Sequence, residues 1–113
     1  MDNWEVAVQA AQSKKAEDVT VLNIGAVSSF ADQFVICSGT NTRQTQAIAD
    51  AVEDDLRNEG VRPLGVEGRQ HGEWILMDYG DFIVHIFAPE KREFYGLERL
   101  WRNAPRLPVP EAA

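Results

Sequence analysis

A short segment between an apolar run and a helical pattern is the best candidate for a phosphate site in this sequence. It reads Cys37-Ser38-Gly39-Thr40-Asn41-Thr42-Arg43-Gln44, which places a glycine-containing loop between a strand end and a helix N-terminus. Free backbone N–H groups at such a position can bind phosphate, and Arg43 would add positive charge. The segment has neither the lysine and spaced glycines of a P-loop nor the three glycines of a dinucleotide fingerprint. A loop that caps a helix is therefore the favoured interpretation.

Nucleotidyl transfer would also require carboxylates that hold Mg²⁺ against the phosphates. The candidates are Asp32, Asp78 and Asp81, but they form no Asp-x-Asp pair on a predicted strand. A minimal nucleotidyltransferase or nucleotide-binding protein, using the Gly39 loop, Arg43 and Asp32, is kept as an alternative function.

The two histidines and the single cysteine do not form a recognisable metal or nucleophile motif. His71 lies in a glycine-rich loop, and His85 lies among apolar residues of a predicted strand. A histidine in that setting is more often a core residue with a satisfied ring nitrogen than a metal ligand. Cys37 has apolar neighbours and is predicted to be a small buried hydrophobe. The sequence therefore predicts no catalytic residue, no metal site and no cofactor.

The hydrophobic pattern predicts helices and strands in the order α-β-β-α-β-β-β-α. Helices are predicted at residues 3–16, 41–59 and 92–101, and strands at 19–24, 34–37, 64–67, 74–77 and 82–87. The long second helix indicates a parallel crossover between the strands on either side of it. Gly80 suits a tight turn and indicates an antiparallel hairpin between the last two strands. The expected fold class is α/β, a mixed sheet of about five strands flanked by helices.

The C-terminal region is predicted to contain one amphipathic helix and a tail. Four large apolar residues recur at helical spacing and are predicted to dock on the core: Phe94, Leu97, Leu100 and Trp101. Three prolines follow, so residues 104–113 are predicted to form an extended or flexible tail. Residues 1–103 would then form a single domain.

Charge is distributed unevenly along the 113 residues, whose formal net charge is −7. Residues 1–89 contain 6 Lys/Arg and 14 Asp/Glu, a net of −8, whereas residues 90–113 contain 5 and 4, a net of +1. An acidic body disfavours sequence-specific or general nucleic-acid binding, because that affinity comes from Lys and Arg. It favours a basic partner, such as a ribosomal protein. The alternative is that acidity only keeps the protein soluble.

The same composition predicts a soluble cytoplasmic protein that binds no membrane. No apolar run approaches the roughly 20 residues that cross a bilayer, and the N-terminus has no signal-peptide pattern. One cysteine cannot form an internal disulfide, which suits a reducing compartment.

The strand that begins at Trp74 is the best candidate for a protein-binding surface. Trp74 and Tyr79 are residues of the kind that anchor interfaces, and Glu73, Asp78 and Asp81 surround them with acid. Strand alternation places residues 74, 76 and 78 on one face and residues 75 and 77 on the other. The competing interpretation is that Trp74 belongs to the core.

The sequence also contains a series of short motifs in a defined order. They are Ser29-Phe30-Ala31-Asp32-x-Phe34-Val35-Ile36-Cys37-Ser38-Gly39, Arg43-Gln44 with Ile48-Ala49-Asp50, Pro63-Leu64 with Glu67-Gly68, Trp74 to Asp81, Val84-His85, and Phe94-Tyr95…Leu97-Glu98-x-Leu100-Trp101. Together they closely resemble the ribosomal silencing factor family, also called the iojap family, over roughly residues 3–103. The N-terminal helix and the proline-rich tail match this family weakly.

This resemblance implies a protein without enzymatic activity. The family binds a universal protein of the large ribosomal subunit, number fourteen in its naming series, and thereby blocks joining of the small subunit and represses translation. Relatives in mitochondria and chloroplasts act in large-subunit assembly. The implied fold is a mixed α/β sheet related to nucleotidyltransferases but without their catalytic carboxylates. The family is often described as dimeric, so the resemblance also implies a homodimer.

The implied binding site lies around the Trp74 strand. The residues predicted to contact the partner are Trp74, Leu76, Asp78, Asp81 and Tyr79, with Arg43 and Tyr95 as further candidates. A third interpretation is a small acidic dimerisation module that binds some other basic partner.

Overall fold

The structure is a computed structural model that describes residues 1–111. A six-stranded mixed sheet forms the centre of the protein. The helices are α1 (Asn3–Ser13), α2 (Thr42–Asn58), α3 (Lys91–Tyr95) and α4 (Leu97–Leu100), and a 3₁₀ turn covers Ile24–Ala26. The strands are β1 (Glu17–Leu22), β2 (Gln33–Ser38), β3 (Gly65–Glu67), β4 (Trp74–Asp78), β5 (Phe82–Phe87) and β6 (Arg106–Leu107). The predicted α/β class is confirmed, with one strand more than expected.

The strand order is β3-β4-β5-β2-β1-β6, and β2 with β5 is the parallel pair among antiparallel neighbours. The predicted antiparallel hairpin between β4 and β5 is confirmed. The predicted parallel crossover is confirmed: α2 leads from β2 to β3, which runs in the same direction and lies at the edge of the sheet rather than beside β2. β5 takes the place beside β2 because all six of its residues are buried, whereas β3 is short and largely exposed.

The two faces of the sheet are covered unequally. We call the side under α1 and α2 the helical face and the opposite side the open face. The helical face contains the larger buried cluster, which includes Val21, Val35, Cys37, Ile75, Met77, Val84 and Ile86 with the apolar sides of α1 and α2. The open face buries a smaller group, Leu22, Ile24, Ala31, Phe34, Ile36, Ile83, Phe87 and Ala104. Half-buried Trp74, Leu76, Leu97 and Trp101 pack against this smaller group, so it is only partly covered.

The predicted C-terminal helix is two short helices, because the chain turns at Gly96. Gly96 has a φ of +60°, a left-handed conformation that favours glycine and ends α3. The break disrupts the expected apolar stripe. Leu97 and Trp101 pack on the open face, whereas Phe94 and Leu100 are 74% and 73% exposed. The prediction that all four residues dock on the core is therefore wrong for Phe94 and Leu100.

The proline-rich segment continues the domain. Leu107 and Arg106 pair antiparallel with β1 as β6, and the N–H of Asn23 donates to the carbonyl of Pro105. Proline is tolerated beside this strand because β6 lies at the sheet edge, where one row of N–H groups needs no partner. The predictions of a flexible tail from residue 104 and of a domain end at 103 are therefore wrong up to residue 110; Ala112 and Ala113 lie outside the described residues.

Gly68→Ala is expected to destabilise the protein more than the matched change Gly60→Ala. Both glycines have positive φ, +81° and +78°, so each substitution introduces backbone strain of about 1–2 kcal/mol. A Cβ on Gly68 would overlap the carbonyl oxygen of Trp74, whereas nothing lies within 4 Å of one on Gly60. The overlap should cost about 1–3 kcal/mol more. Urea unfolding of both variants measures the difference, and equal losses would contradict this account.

Candidate partner-binding surface

A row of aromatic side chains crosses the open face from one exposed end to the other. We call it the aromatic row, and it consists of Phe30, Phe34, His85, Trp74, Tyr95 and Phe94 in spatial order, with Phe87 and Trp101 beside it. Neighbouring ring centroids along the row lie between 4.5 and 6.2 Å apart. Phe30 at one end is 66% exposed and Phe94 at the other is 74% exposed. The row therefore joins the buried core to an apolar surface.

Strand β4 supplies the centre of this surface through simple alternation. Its residues are alternately half-buried and buried, so Trp74, Leu76 and Asp78 share the open face while Ile75 and Met77 lie in the helical-face core. This part of the prediction is confirmed. The register of β4 with β5 then sets Trp74 opposite Phe87 and Leu76 opposite His85.

Trp74 contacts the core and is also partly accessible, so its position is compatible with both interpretations that the sequence left open. Its ring stacks on Phe87 at a centroid distance of 5.2 Å and lies 4.5 Å from the ring of Tyr95. Its indole N–H donates a hydrogen bond of 3.2 Å to Nδ1 of His85. The side chain is nonetheless only half-buried. A rigidly held aromatic side chain with an accessible part is typical of the residues that anchor protein interfaces.

His85 is a neutral core histidine, as predicted, with one satisfied nitrogen. It is 3% exposed, and burial lowers its pKa to about 4. Because Nδ1 accepts from Trp74, the proton of the neutral ring lies on Nε2. Nε2 is buried without a hydrogen-bond partner among the described residues. An unmade bond of this kind costs about 1–3 kcal/mol.

Arg92 holds the C-terminal helices against the sheet. Its guanidinium donates to Glu98 at 2.7 Å and to the hydroxyls of Ser38 and Thr20, each at 3.1 Å. These bonds connect α3 and α4 to β2 and β1. The hydrogen bond from Arg92 also lowers the pKa of Glu98. The consequence for the surface is that Tyr95, on α3, is kept next to Trp74.

Tyr79 is not part of this surface, which corrects the prediction. It is 9% exposed, its ring stacks on Phe82 at 5.0 Å, and it belongs to the helical-face core. The same alternation that brings Trp74, Leu76 and Asp78 together assigns residue 79 to the opposite face. Burial raises the pKa of Tyr79 to about 12.

Of the charged residues predicted to contact the partner, the structure places only one, Asp78, on the same face as Trp74. Asp78 is half-buried at the end of β4, and its Oδ1 accepts the N–H of Gly80 at 2.8 Å. Asp81 instead lines a groove with Trp4 of α1. Arg43 is exposed on α2, whose buried side packs on the helical face. The structure thus groups Trp74, Leu76, Asp78 and Tyr95, and it does not group Tyr79, Asp81 and Arg43 with them.

The segment considered as a phosphate site, residues 37–44, caps the N-terminus of α2, which is the interpretation that the sequence favoured. Asn41 Oδ1 accepts the N–H of Gln44 at 2.8 Å, and the carbonyl of Asn41 accepts the N–H of Thr45. The N–H of Thr40 donates to the side chain of Gln44. A Cβ on Gly39 would lie 2.9 Å from the methyl group of Thr45, so the loop is packed against α2. The N–H groups of Gly39, Thr40, Gln44 and Thr45 are therefore already bonded within the protein.

The residues of the enzymatic alternative do not meet. Asp32 precedes β2 and Gly39 follows it, and a six-residue strand separates its ends by roughly 20 Å. Within residues 1–111, no group of three or more His, Cys, Asp or Glu side chains is arranged to hold a metal ion. Cys37 is fully buried, and burial raises its pKa to about 12, so it is an unreactive thiol as predicted.

None of the helices within the described part of the chain combines the length and apolar character that crossing a bilayer requires.

Sequence reasoning missed four contributors to the surface: Phe30, His85, Arg92 and Phe94. For His85 a signal existed, since alternation along β5 places it with Ile83 and Phe87, and the Gly80 turn sets it opposite Leu76. For Phe30 and Phe94 no local signal distinguishes an exposed aromatic residue from a core residue. Arg92 joins segments more than 50 residues apart, which no short pattern reveals.

Comparison with known proteins gives consistent matches over nearly the whole chain. A family model described as "Ribosomal silencing factor during starvation" matches residues 2–113. The ribosomal silencing factor of Halalkalibacterium halodurans is 41% identical over 103 residues, which are 91% of this chain and 88% of that protein. A mouse protein named mitochondrial assembly of ribosomal large subunit protein 1 is 30% identical over 86% of this chain and 44% of its own length. The crystal structure of a Chromobacterium violaceum protein superposes with a TM-score of 0.85 at 32% identity, covering 100% of this chain and 93% of that one.

Acidification from pH 6.5 to 4.5 is expected to destabilise the protein through His85. Its pKa is about 4 when folded and 6.5 ordinarily, so in this window the unfolded chain binds a proton that the folded protein does not. Stability therefore falls as pH falls, by about 2 kcal/mol over the window, and the loss levels off below pH 4. Urea unfolding at a series of pH values measures this slope.

The pH range from 6.5 to 4.5 also separates the effect of His85 on stability from the effect of Glu98. The pKa of Glu98 is lowered below its ordinary 4.5, so the stability from its bond with Arg92 is present above that pH and is lost only on further acidification. His85→Leu should abolish most of the slope, whereas His71→Asn, at an exposed histidine, should retain it. An undiminished slope in His85→Leu would show that another group is responsible.

Proposed function

Since the chain belongs to the ribosomal silencing factor family, we propose that it binds the large ribosomal subunit through the open face and prevents the small subunit from joining. The proposed target is the universal large-subunit protein number fourteen, on the face where the small subunit docks. The protein would act as a translational repressor in the cytoplasm and would need no catalytic activity.

The aromatic row is the observation that carries this proposal. Aromatic side chains are enriched at protein interfaces, and those held rigidly lose little conformational entropy on binding. Trp74 is fixed by two ring contacts and a hydrogen bond while part of it stays accessible. Leu76 and Tyr95 extend the apolar area around it. The row is a surface rather than an enclosed cavity, which suits a protein partner.

Charge supports a basic partner at the rim of this surface. The net charge of −7 favours approach to a protein that itself binds RNA. Asp78 lies on the same face as Trp74 and adds a carboxylate at the end of β4. The paired Gly80 N–H fixes the orientation of that carboxylate.

Silencing by this route requires only excluded volume. The domain measures 33 × 33 × 28 Å, which is large compared with the contact distances of a subunit interface. An interface of standard size, about 800 Å² on each partner, would hold the domain in place. The repressor would then block the bridge between the subunits without altering either of them chemically.

Two further roles fit the same surface. The mouse relative is named for assembly of the large ribosomal subunit, so we propose that binding also protects or assists a maturing large subunit. The exposed apolar residues are suited to self-association as well, and we propose a homodimer as the free form.

The purified protein is expected to co-sediment with free large subunits, and not with small subunits or assembled ribosomes, because the proposed site is hidden after joining. Sucrose gradients of the protein mixed with each particle measure this directly. Adding the protein to equal amounts of both subunits should also lower the yield of joined ribosomes. Comparable co-sedimentation with small subunits or intact ribosomes would contradict the proposed function.

Trp74→Ala is expected to weaken binding to large subunits by about 30- to 700-fold, which corresponds to about 2–4 kcal/mol for truncation of an interface anchor. Trp4→Ala is the matched control, because Trp4 is also half-buried but packs against the helical-face core. Binding and thermal unfolding should be measured on both variants. If Trp74→Ala binds as well as Trp4→Ala does, Trp74 is a core residue and not an anchor.

A further inference from the structure

The hydrogen bond between Trp74 and His85 is unusual for its surroundings. Strand β5 is buried along its whole length, and His85 is its one polar side chain. Phe34 lies against the imidazole with a centroid distance of 4.7 Å, and Phe87 lies 6.4 Å away. An apolar side chain would fill this site without leaving Nε2 unpaired. Stability alone therefore does not account for a histidine at this position.

We propose that His85 is a positioning residue that sets the orientation of the Trp74 indole for the partner. This inference rests on the proposed function, since it concerns the same surface. His85 itself is buried and would not touch the partner. It acts through the single bond from the indole N–H of Trp74 to Nδ1.

The ring contacts of Trp74 allow the indole to rotate within its own plane, and the hydrogen bond to His85 restricts that rotation. Phe87 and Tyr95 lie against the indole at interplanar angles of 28° and 42°, so they restrict the tilt of its plane. Stacking of this kind tolerates sliding and rotation within the plane. A hydrogen bond is directional, with a donor angle that prefers more than about 150°. The acceptor on His85 therefore selects which edge of the indole faces inward and which edge is presented to solvent.

The isosteric pair His85→Leu and His85→Asn separates positioning from packing. The two new side chains have nearly the same shape, but asparagine Oδ1 can replace Nδ1 as the acceptor and leucine has none. His85→Leu should melt at or above the wild-type temperature, because it removes the buried unpaired Nε2, while the indole N–H of half-buried Trp74, which loses its acceptor, can turn to water. It should bind large subunits about tenfold more weakly, the typical effect of one lost hydrogen bond.

His85→Asn should show the opposite behaviour. We expect it to melt at a lower temperature than His85→Leu and to bind within about threefold of the wild type. The indole N–H signal of Trp74 in ¹⁵N NMR spectra gives a second readout in the free protein. It should shift and exchange faster with solvent in His85→Leu and stay close to the wild-type position in His85→Asn. His71→Asn, at an exposed histidine, controls for loss of an imidazole elsewhere.

The outcomes distinguish this inference from the proposed function. If the wild type does not bind large subunits, the proposed function is contradicted, and this inference is contradicted with it. Normal binding by the wild type and by His85→Leu would overturn the inference and leave the proposed function intact. A His85→Leu variant that unfolds, or a folded His85→Asn variant that binds no better than His85→Leu, would also overturn it, since the imidazole would then serve packing alone.

Discussion

The parallel pairing of β2 with β5 is the constraint on which the rest of the structure depends. Its register sets Val35 beside Val84 on the helical face and Ile36 beside His85 on the open face. A slip of β5 by one residue would move each of its side chains to the opposite face and would place the imidazole under α1 and α2. The β4–β5 hairpin then carries this register outward to Trp74 and Leu76.

Unequal covering of the two faces leaves part of the aromatic row exposed, and this is the surface proposed to bind the partner. Helices of 11 and 17 residues close the helical face, whereas segments of five and four residues lie on the open face. The short helices are too small to be stable by themselves and depend on tertiary contacts, chiefly those of Arg92. They hold Tyr95 and Trp101 against the aromatic row and leave Phe30 and Phe94 at its two ends exposed.

In the role proposed for His85, stability and binding compete at one position. Burial of an imidazole with one unpaired nitrogen lowers stability at neutral pH and makes the protein sensitive to acid. The same imidazole provides the one acceptor that the Trp74 indole uses. Departures from the most stable core are expected where a residue serves binding, and His85 accepts a hydrogen bond from the proposed anchor.

The sequence by itself determined the α/β class, the elements up to β5, the cap of α2, the face of β4 that carries Trp74, and the family. These features depend on short-range periodicity and capping, which a local pattern records. Only the tertiary structure decided that Gly96 divides the last helix, that residues 106–107 form β6, and that β3 lies at the edge. It also decided which aromatic residues meet, because the row combines four segments distant in sequence. Covering of a sheet face is a long-range property, and no local pattern encodes it.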